Sequence, residues 1–331
     1  MQSARTDKIH HDIAGEDILS SKEESFIRYR TKWDENPKNL EYGDFPLHLD
    51  IEVTSLCNLK CPFCATTYSK FTDGFMKWET VKKILDEAGE KGLCSCKFNF
   101  RGEPLLHKDI GRFIHYAKKK GIMDVFFNTN AVLLTKETAK MLINSGLDRL
   151  TVSFEGFEKE MYEKSRVGAS FEKVVAHIES LMDMREKMGS HKPKVRIQAV
   201  LIPELSNRLD EYVNFWKDKV DQVSFNDMEP SVDTIKQRTK KIISPWICPS
   251  LYQRMTIMWD GTITACKNDY NGKLSLGNAN FMSIQKCWIS SLGPLRKIHC
   301  EDRAHEVEAC GECPLRMSEL IKDENIKTRD N

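Results

Sequence analysis

Apolar and polar residues follow two different periods along most of the chain. Short runs with a period of two, such as LHLDIEVT at residues 47–54, predict strands. Longer segments with apolar residues three or four positions apart, such as WETVKKILDEAGEKG, predict helices that end at a glycine. Strand and helix signals then alternate until about residue 225. The predicted strands are at 47–54, 97–100, 124–128, 149–154, 195–202 and 222–225.

This alternation predicts an α/β fold. Parallel neighbouring strands need crossover connections, and a helix after each strand supplies them. Six such units fit an incomplete (β/α)6 barrel, and they also fit an open doubly wound sheet. In both folds the functional site lies at the carboxyl ends of the strands.

The two ends of the chain depart from the alternation. Residues 1–45 are polar, and apart from one helix at KEESFIRYRTKW we expect a loose extension there. Beyond Pro230 the run MTIMWDGTITAC predicts a β-hairpin that turns at Asp260-Gly261. The predicted domains are an N-terminal extension (1–45), a barrel (46–230), a small auxiliary domain with the hairpin (231–317) and a polar tail (318–331).

Composition and charge narrow the setting. The 331 residues carry a formal net charge of +1, which gives no reason to expect nucleic acid or a membrane surface as partner. The N-terminus has no basic-then-apolar signal layout, and no run reaches the roughly 18 apolar residues of a membrane span. We therefore expect a cytoplasmic protein that recognises a small molecule mainly by shape.

Three of the eleven cysteines lie in CNLKCPFC, directly after the first predicted strand. Cys57, Cys61 and Cys64 are spaced C-x3-C-x2-C, and tightly spaced thiolates bind zinc or iron-sulfur clusters. A structural zinc site needs four ligands, and this loop holds no fourth cysteine or histidine. Three thiolates on a four-iron cluster would leave one iron open to a ligand that is not protein.

With this motif the chain resembles the radical S-adenosylmethionine (SAM) superfamily. The resemblance implies a (β/α)6 partial barrel and a [4Fe-4S] cluster whose open iron binds SAM. It further implies that an external one-electron reductant, such as flavodoxin or ferredoxin, drives cleavage of SAM to a radical that abstracts hydrogen from the substrate. The protein would then position these groups and exclude water.

The resemblance also implies a set of SAM-binding residues. RGEP at 101–104 matches the GGEP motif of the family, with Arg101 in place of the first glycine, and Glu103 would receive the SAM ammonium. As alternatives, the polar residues at strand ends are turn or cap residues, and Arg166 is a solvated surface group. The full set is Phe63, Gly102, Glu103, Asn128, Asn130, Ser153 and Arg166.

Four further cysteines are expected to bind a second metal centre. Cys248 and Cys266 flank the predicted hairpin, and Cys310 and Cys313 form a C-x2-C pair. Four thiols suit either zinc or a second [4Fe-4S] cluster. The C-x12-G-x4-C spacing resembles the opening of the SPASM domain, but the longer C-x2-C-x5-C-x3-C run of that domain is absent. The resemblance thus implies one auxiliary cluster, as in radical SAM enzymes that act on aminocyclitols and aminoglycosides.

Four cysteines remain. With a period of two, Cys94 and Cys96 share a face with Phe98 and Phe100, and Cys287 lies beside Trp288, so we predict buried core thiols at these three cysteines. Cys300 lies in a polar stretch and is a candidate hydrogen donor if the enzyme is an epimerase. Other groups are expected to be solvated or satisfied (His107, His115, His299, Asp227 and Glu229) or to pack in the core (Trp246, Trp259 and Trp288).

These observations favour a radical SAM oxidoreductase for a small polyol, sugar or aminocyclitol. The auxiliary cluster would accept the second electron as an alcohol becomes a ketone. An epimerase on the same scaffold and a peptide maturase are the enzymatic alternatives. A non-catalytic iron-sulfur or zinc protein is the alternative of another class.

Overall fold

Six parallel strands form the centre of the fold in the computed structural model, which describes residues 10–21, 23–226, 246–311, 313 and 315–316. They lie side by side in the order in which they occur in the chain. A doubly wound sheet would reverse direction at a switch point, so the order decides for the partial barrel, and the predicted fold class is confirmed. The strands are β2 (His48–Ile51), β3 (Ser95–Lys97), β4 (Asp124–Thr129), β5 (Arg149–Ser153), β6 (Lys194–Val200) and β7 (Gln222–Asn226).

Most of the helices cover the outer face of this sheet, and their apolar sides pack on it. Helix α5 ends as the sequence predicts, at Gly146 in the left-handed conformation with φ +81°. The described helices are α1 (Glu24–Asn39), α2 (Ala65–Tyr68), α3 (Trp78–Glu90), α4 (Ile110–Lys119), α5 (Lys136–Ser145), α6 (Lys159–Ser165), α7 (Phe171–Lys187), α8 (Pro203–Ser206), α9 (Leu209–Trp216), α10 (Ile284–Lys286), α11 (Gly293–Cys300) and α12 (Glu308–Gly311).

The two faces of the sheet differ in chemistry. On β2, Leu49 and Ile51 belong to the apolar core beneath the helices, whereas His48 and Asp50 point to the inner face of the barrel. A network of ion pairs fills this inner face near the start of the strands. It includes Asp50 with Lys97 (3.1 Å). Burial of these charges is tolerated because each has a partner of opposite sign.

The N-terminal segment is more ordered than the sequence predicts. β1 (His10–Gly15) pairs antiparallel with β7, at one edge of the barrel. On α1, the ring of Trp33 packs edge-on against His48 at 6.0 Å, so this helix covers the inner face where the strands begin. The helix predicted at KEESFIRYRTKW is present as α1. The expectation of an otherwise loose extension is wrong at residues 10–15, because β1 makes main-chain hydrogen bonds to β7.

The predicted hairpin is confirmed, and it joins the same sheet. β8 (Arg254–Ile257) and β9 (Thr262–Thr264) are antiparallel, with Gly261 at φ +90° in the turn, and β10 (Ser275–Asn278) follows β9. β8 also pairs in parallel with β2. The sheet of the described residues therefore has ten strands, and it extends from the barrel into the C-terminal region.

Some predictions fall outside these elements. β3 is at Ser95–Lys97, earlier than the predicted 97–100, because the chain has already left the sheet at Asn99 to form the wall of a cavity. Asp227, Glu229, the boundary at Pro230 and the tail at 318–331 lie outside the described residues. In the described part of the chain, the helices are too short or too polar to cross a membrane.

Candidate cluster and cofactor site

The three cysteines after β2 face one another in a single loop. Cys61 is buried, and Cys57 and Cys64 are half-buried. Burial raises the pKa of the Cys57 thiol, and the neighbouring Cys61 and Cys64 raise it further. Burial also raises the pKa of Cys61, which the Arg166 guanidinium partly offsets. Such thiols become thiolates when a cationic iron centre binds them.

These cysteines line a cavity of about 160 Å³ at the carboxyl ends of β2 to β5. Its walls include every predicted SAM-binding residue except Phe63, whose ring lies under the Arg166 guanidinium at 5.3 Å. The fold therefore gathers side chains that are up to about a hundred positions apart. The predicted residues that line the cavity are Gly102, Glu103, Asn128, Asn130, Ser153 and Arg166.

Glu103 is buried, with its carboxylate held by three donors. Its Oε1 accepts from Leu105 N at 3.0 Å and Thr129 Oγ1 at 2.7 Å, and its Oε2 accepts from Asn130 N at 2.8 Å. Burial raises the pKa of Glu103, and these hydrogen bonds oppose the rise. A carboxylate has about four acceptor positions, so Oε2 retains one for a further donor. This arrangement fits the ammonium group of SAM.

Gly102 allows two backbone segments to lie close together. A Cβ at this position would lie 2.4 Å from the carbonyl oxygen of Thr54 and 2.5 Å from that of Leu56. The next residue, Glu103, donates its backbone N–H to the Leu56 oxygen at 2.8 Å. Gly102 thus lets the RGEP segment pack against the start of the cysteine loop.

Arg166 binds Glu155, a partner that the sequence analysis did not identify. Its Nη2 donates to Glu155 Oε1 at 2.6 Å, its Nε donates to Glu155 Oε2, and its Nη1 donates to Cys61 Sγ at 3.6 Å. Burial lowers the pKa of the Arg166 guanidinium, but the charge of Glu155 and its hydrogen bonds raise it above the ordinary value. The guanidinium therefore faces a cluster ligand as a cation, which stabilises a thiolate there.

Asn130 braces the cysteine loop from β4. Its Nδ2 donates to Asn58 Oδ1 at 2.8 Å and lies 4.0 Å from Cys57 Sγ, while its Oδ1 accepts from Val132 N at 3.0 Å. Both ends of the amide are thus used by the protein. A role for Asn130 in holding the loop is compatible with the predicted contact to SAM.

The four C-terminal cysteines also converge. Burial raises the pKa of Cys248, raises that of Cys266 to about 11 and raises that of Cys310 to about 12. The charge of Cys313 adds to each of these three rises, and the charge of Cys266 adds to those of Cys248 and Cys310. Among the described residues, no group of three or more His, Cys, Asp or Glu side chains is arranged to hold a single metal ion. A four-iron cluster is a different case, because it takes each thiolate on a separate iron.

A buried cation lies beside these four thiols. Arg316 is 3% exposed, and its Nη1 has no hydrogen-bond partner among the described residues. Its charge opposes the rise in the pKa of Cys310, and burial together with this charge lowers the pKa of His299 to about 4. A buried guanidinium requires a compensating anion, and a cluster with four thiolates carries net negative charge. The residues present therefore fit an auxiliary iron-sulfur cluster.

The remaining cysteines lie away from both groups. Cys96 and Cys287 are buried as predicted, but Cys94 is only half-buried. Cys300 is exposed at the end of α11, where the Tyr252 hydroxyl lies 3.5 Å from its sulfur, near the start of β8. The first strands begin at that edge of the sheet, so the structure does not bring Cys300 to the SAM cavity.

The predictions for single histidines and tryptophans have mixed outcomes. His107 is buried and satisfied, since Met76 O lies 3.0 Å from its Nε2 and Asp109 N donates to its Nδ1. His115 is exposed and Trp288 is fully buried, as expected. Trp246 and Trp259 are half-buried. His299 accepts from Cys248 N at 3.4 Å and so belongs to the auxiliary site.

Two family models match the chain at the regions just described. The radical SAM superfamily matches residues 51–215, and SPASM, an iron-sulfur cluster-binding domain, matches residues 248–314. The chain is a radical SAM enzyme with a SPASM domain. Its cofactors are SAM and [4Fe-4S] clusters, of which the SPASM cluster is auxiliary.

Relatives of this radical SAM enzyme differ in the molecules that their names and titles mention. GTP 3',8-cyclase of Clostridium botulinum (strain Langeland) is 26% identical over 246 residues, which cover 72% of this chain and 74% of the cyclase. The structure of BtrN with AdoMet and 2-DOIA is 19% identical, with a TM-score of 0.54, and the match covers 80% of this chain and 92% of BtrN. Streptococcus suis SuiB bound to precursor peptide SuiA is 20% identical with a TM-score of 0.62, over 86% and 74% of the two chains. At these identities the two solved structures support the fold of the enzyme, and the molecules bound in them are said of those proteins alone.

Sequence reasoning missed the acidic residues that organise the site of the enzyme. Glu52 and Glu155 are fully buried, and each binds an arginine that lines the cavity. A charged residue at the end of a buried strand is the signal that could have found them, since such a residue needs a partner or a function. The identity of the partner required the tertiary structure.

Proposed function

We propose that this radical SAM enzyme oxidises a secondary alcohol of a small polyol, sugar or aminocyclitol to a ketone. The convergence of four cysteines at the auxiliary site is the main support. With one thiolate on each of its four irons, an auxiliary cluster has no open position for a substrate. Electron transfer is the role that such a cluster can still perform.

When bound, SAM and its cluster would supply hydrogen-atom abstraction from the carbinol carbon, with methionine and 5'-deoxyadenosine as by-products, and the auxiliary cluster would supply the acceptor for the second electron, while the hydroxyl proton would leave to water. The electron for SAM cleavage comes from an external donor such as flavodoxin or ferredoxin. Glu103 binds the SAM ammonium through the free position on Oε2. Arg166 and Asn130 hold the cysteine loop in place, and the cavity walls limit access of water.

The polar residues on the inner face of the barrel favour a polar substrate. Asp50 is shared by Lys97 Nζ at 3.1 Å and by Arg254 Nη1 at 3.3 Å. Asn99 and Asn128 line the cavity above them. A barrel interior with charged and amide groups suits hydroxyl-rich molecules better than apolar ones, because each buried substrate hydroxyl needs a hydrogen-bond partner.

Epimerisation is less well supported. An epimerase would need a hydrogen donor, commonly a thiol, facing the substrate radical. Within the described residues, the thiols that line the cavity are Cys57, Cys61 and Cys64, which are the expected cluster ligands. Cys300 lies near the opposite edge of the sheet. The similarity to GTP 3',8-cyclase makes GTP a further substrate that has to be tested.

Anaerobic turnover assays test the proposal. Enzyme with reconstituted clusters, SAM and reduced flavodoxin is incubated with a panel of polyols, sugars and aminocyclitols in deuterated water. We expect one substrate to give equal amounts of 5'-deoxyadenosine and ketone. A product with deuterium on carbon would indicate epimerisation, and turnover of GTP or of a peptide alone would contradict the proposal.

A variant without the auxiliary cluster gives a matched control. Cys310→Ala with Cys313→Ala removes two of its expected ligands and leaves the SAM cavity intact. We expect this variant to retain SAM cleavage and to lose ketone formation. Equal ketone formation in the variant and the parent would contradict the electron-transfer role.

A further inference from the structure

Arg101 connects the SAM cavity to the auxiliary domain. It takes the place of the first glycine in the GGEP motif, lines the cavity and is 8% exposed. Its Nε donates to Glu52 Oε1 and its Nη2 to Glu52 Oε2, both at 2.6 Å. The third nitrogen, Nη1, donates to the carbonyl oxygen of Tyr270 at 2.7 Å. One guanidinium thus binds a strand of the barrel and a loop that follows the auxiliary ligand Cys266.

The aromatic rings around Arg101 reinforce this link. Its guanidinium lies over the ring of Phe71 at 4.4 Å, and the ring of Phe100 stacks on that of Tyr270 at 5.4 Å. Glu52 also accepts from Trp259 N at 3.1 Å, at the tip of the hairpin. The buried carboxylate therefore has donors from both domains, and loss of Arg101 would leave it without its main partner.

The loop that Arg101 holds is stiff within itself. We name residues 266–273 the auxiliary loop. Asp269 Oδ2 accepts from Thr264 Oγ1 at 2.6 Å and its Oδ1 accepts from Lys273 N at 2.8 Å. Asn268 N donates to Cys266 Sγ at 3.3 Å. These hydrogen bonds connect the segment that contains Tyr270 to the cluster ligand Cys266.

We propose that Arg101 is a positioning residue that holds the auxiliary loop, and with it Cys266, at a fixed place relative to the SAM cavity. Electron transfer from a substrate to the auxiliary cluster depends on this placement. A glycine at the same position would keep only the backbone donor to Glu52 and would lose the bond to Tyr270. The inference depends on the two cluster sites and not on the identity of the substrate.

Hydrogen-deuterium exchange of the cluster-loaded protein under argon tests this role directly. Arg101→Lys keeps a cation for Glu52, but one ammonium cannot reproduce the fork that reaches Tyr270 as well. We expect amide exchange in the peptide 266–274 to become about ten-fold faster, since a charge-assisted hydrogen bond that restrains the loop is lost. Exchange in β2 to β5 should stay unchanged.

Arg149→Lys is the matched control. Arg149 is similarly buried, binds Asp124 through Nε at 2.7 Å and Nη2 at 2.6 Å, and lies over the Phe126 ring, but it is near the start of the strands. Faster exchange of the auxiliary loop in this variant as well would show general destabilisation and overturn the proposal. Unchanged exchange in Arg101→Lys would overturn it too.

A second variant and a second readout cover the case in which Arg101→Lys does not fold. Phe71→Leu removes only the ring beneath the guanidinium, and we expect a smaller acceleration in the same peptide. In a background with Cys57, Cys61 and Cys64 changed to alanine, air should bleach the remaining auxiliary cluster faster when Phe71→Leu is added. Bleaching and exchange at the parent rates would contradict the role of Arg101.

Discussion

At the scale of single residues, the functional groups of the SAM cavity are held by short-range partners. Glu103 is fixed by two backbone N–H groups and a threonine hydroxyl, and Arg166 is fixed by Glu155. Such support keeps the groups in place before the cofactor arrives, so that little reorganisation is needed on binding. Small changes at these positions should therefore affect cofactor binding more than overall folding.

Substitution of Gly102 tests the close approach of the RGEP segment to the cysteine loop. In Gly102→Ala the new methyl group would meet two backbone oxygens that cannot move easily. We expect a loss of about 1–3 kcal/mol in unfolding free energy and weaker SAM binding. Gly293→Ala is the control, because no atom lies within 4 Å of the added Cβ. Urea unfolding measures the change in unfolding free energy, and the effect of SAM on the EPR spectrum of the cluster measures SAM binding. Equal effects of the two substitutions would contradict the interpretation.

His48 gives the enzyme a defined pH dependence. Burial lowers the pKa of this histidine, and the charges of Arg254 and Lys97 lower it further, against the opposing effect of Asp50. Below about pH 6.5 the unfolded chain binds a proton at this position that the folded chain resists. The destabilisation that His48 causes should therefore be absent above this pH. As the pH falls below it, the unfolding free energy should decrease by at most about 1.4 kcal/mol per pH unit from this group.

The variant His48→Gln should show a shallower decrease of unfolding free energy between pH 8 and 5.5. Urea unfolding at several pH values in this range gives the slope. His115→Gln, at an exposed position, should retain the full slope of the parent. A steeper slope for His48→Gln would show that the histidine is protonated in the folded enzyme.

At the scale of elements, α1 is part of the barrel and not an appendage. Trp33 packs against His48, its carbonyl oxygen accepts from Gln253 Nε2 at 2.7 Å, and Arg254 lies over its ring at 4.9 Å. The helix thus contacts β2 and the start of β8 together. It closes the barrel at the edge opposite to the SAM cavity.

Trp33→Ala should destabilise the enzyme by about 3 kcal/mol or more, because it leaves a cavity beneath α1 and exposes the ion pairs of the inner face. Ile27→Ala, at a half-exposed position of the same helix, should change stability by less than about 0.5 kcal/mol. Chemical denaturation of both variants measures the difference. A small effect of Trp33→Ala would show that α1 is dispensable for the barrel.

At the scale of the whole molecule, one sheet carries both cluster sites. The SAM cavity lies at the carboxyl ends of β2 to β5, and β8 next to β2 begins the hairpin that leads to Cys266. Because β2 is paired on both sides, the two sites share a rigid support. Their relative position is therefore a property of the sheet, to which Arg101 adds a direct link.

Iron analysis tests the assignment of two clusters. The parent enzyme, purified without oxygen, should contain roughly eight irons per chain, and a variant with Cys57, Cys61 and Cys64 changed to alanine roughly four. The EPR spectrum of the remaining cluster should not respond to SAM. Zinc at either site, or an unchanged response to SAM in the triple variant, would contradict the assignment.

The sequence alone determined the chemistry of this protein and most of its elements. Ligand type and spacing in CNLKCPFC are local properties, and so are the periods of two and 3.6 residues that predict the strands and helices. The periods predicted an α/β fold but left a doubly wound sheet open, and it was the family resemblance of the cysteine motif that implied the partial barrel, the cofactors and the candidate residues that meet in one cavity. The N-terminal segment was predicted less well, because polar composition does not reveal a strand that pairs with a distant edge.

Only the tertiary structure decided which groups of opposite charge meet. Arg101 binds Glu52 and Arg166 binds Glu155, and the two residues of each pair are separate in the chain. The same holds for Cys300, which folding places away from the cavity. The physical reason is that a local pattern specifies which side of an element is buried, whereas the partner of a buried charge is set by the packing of whole elements.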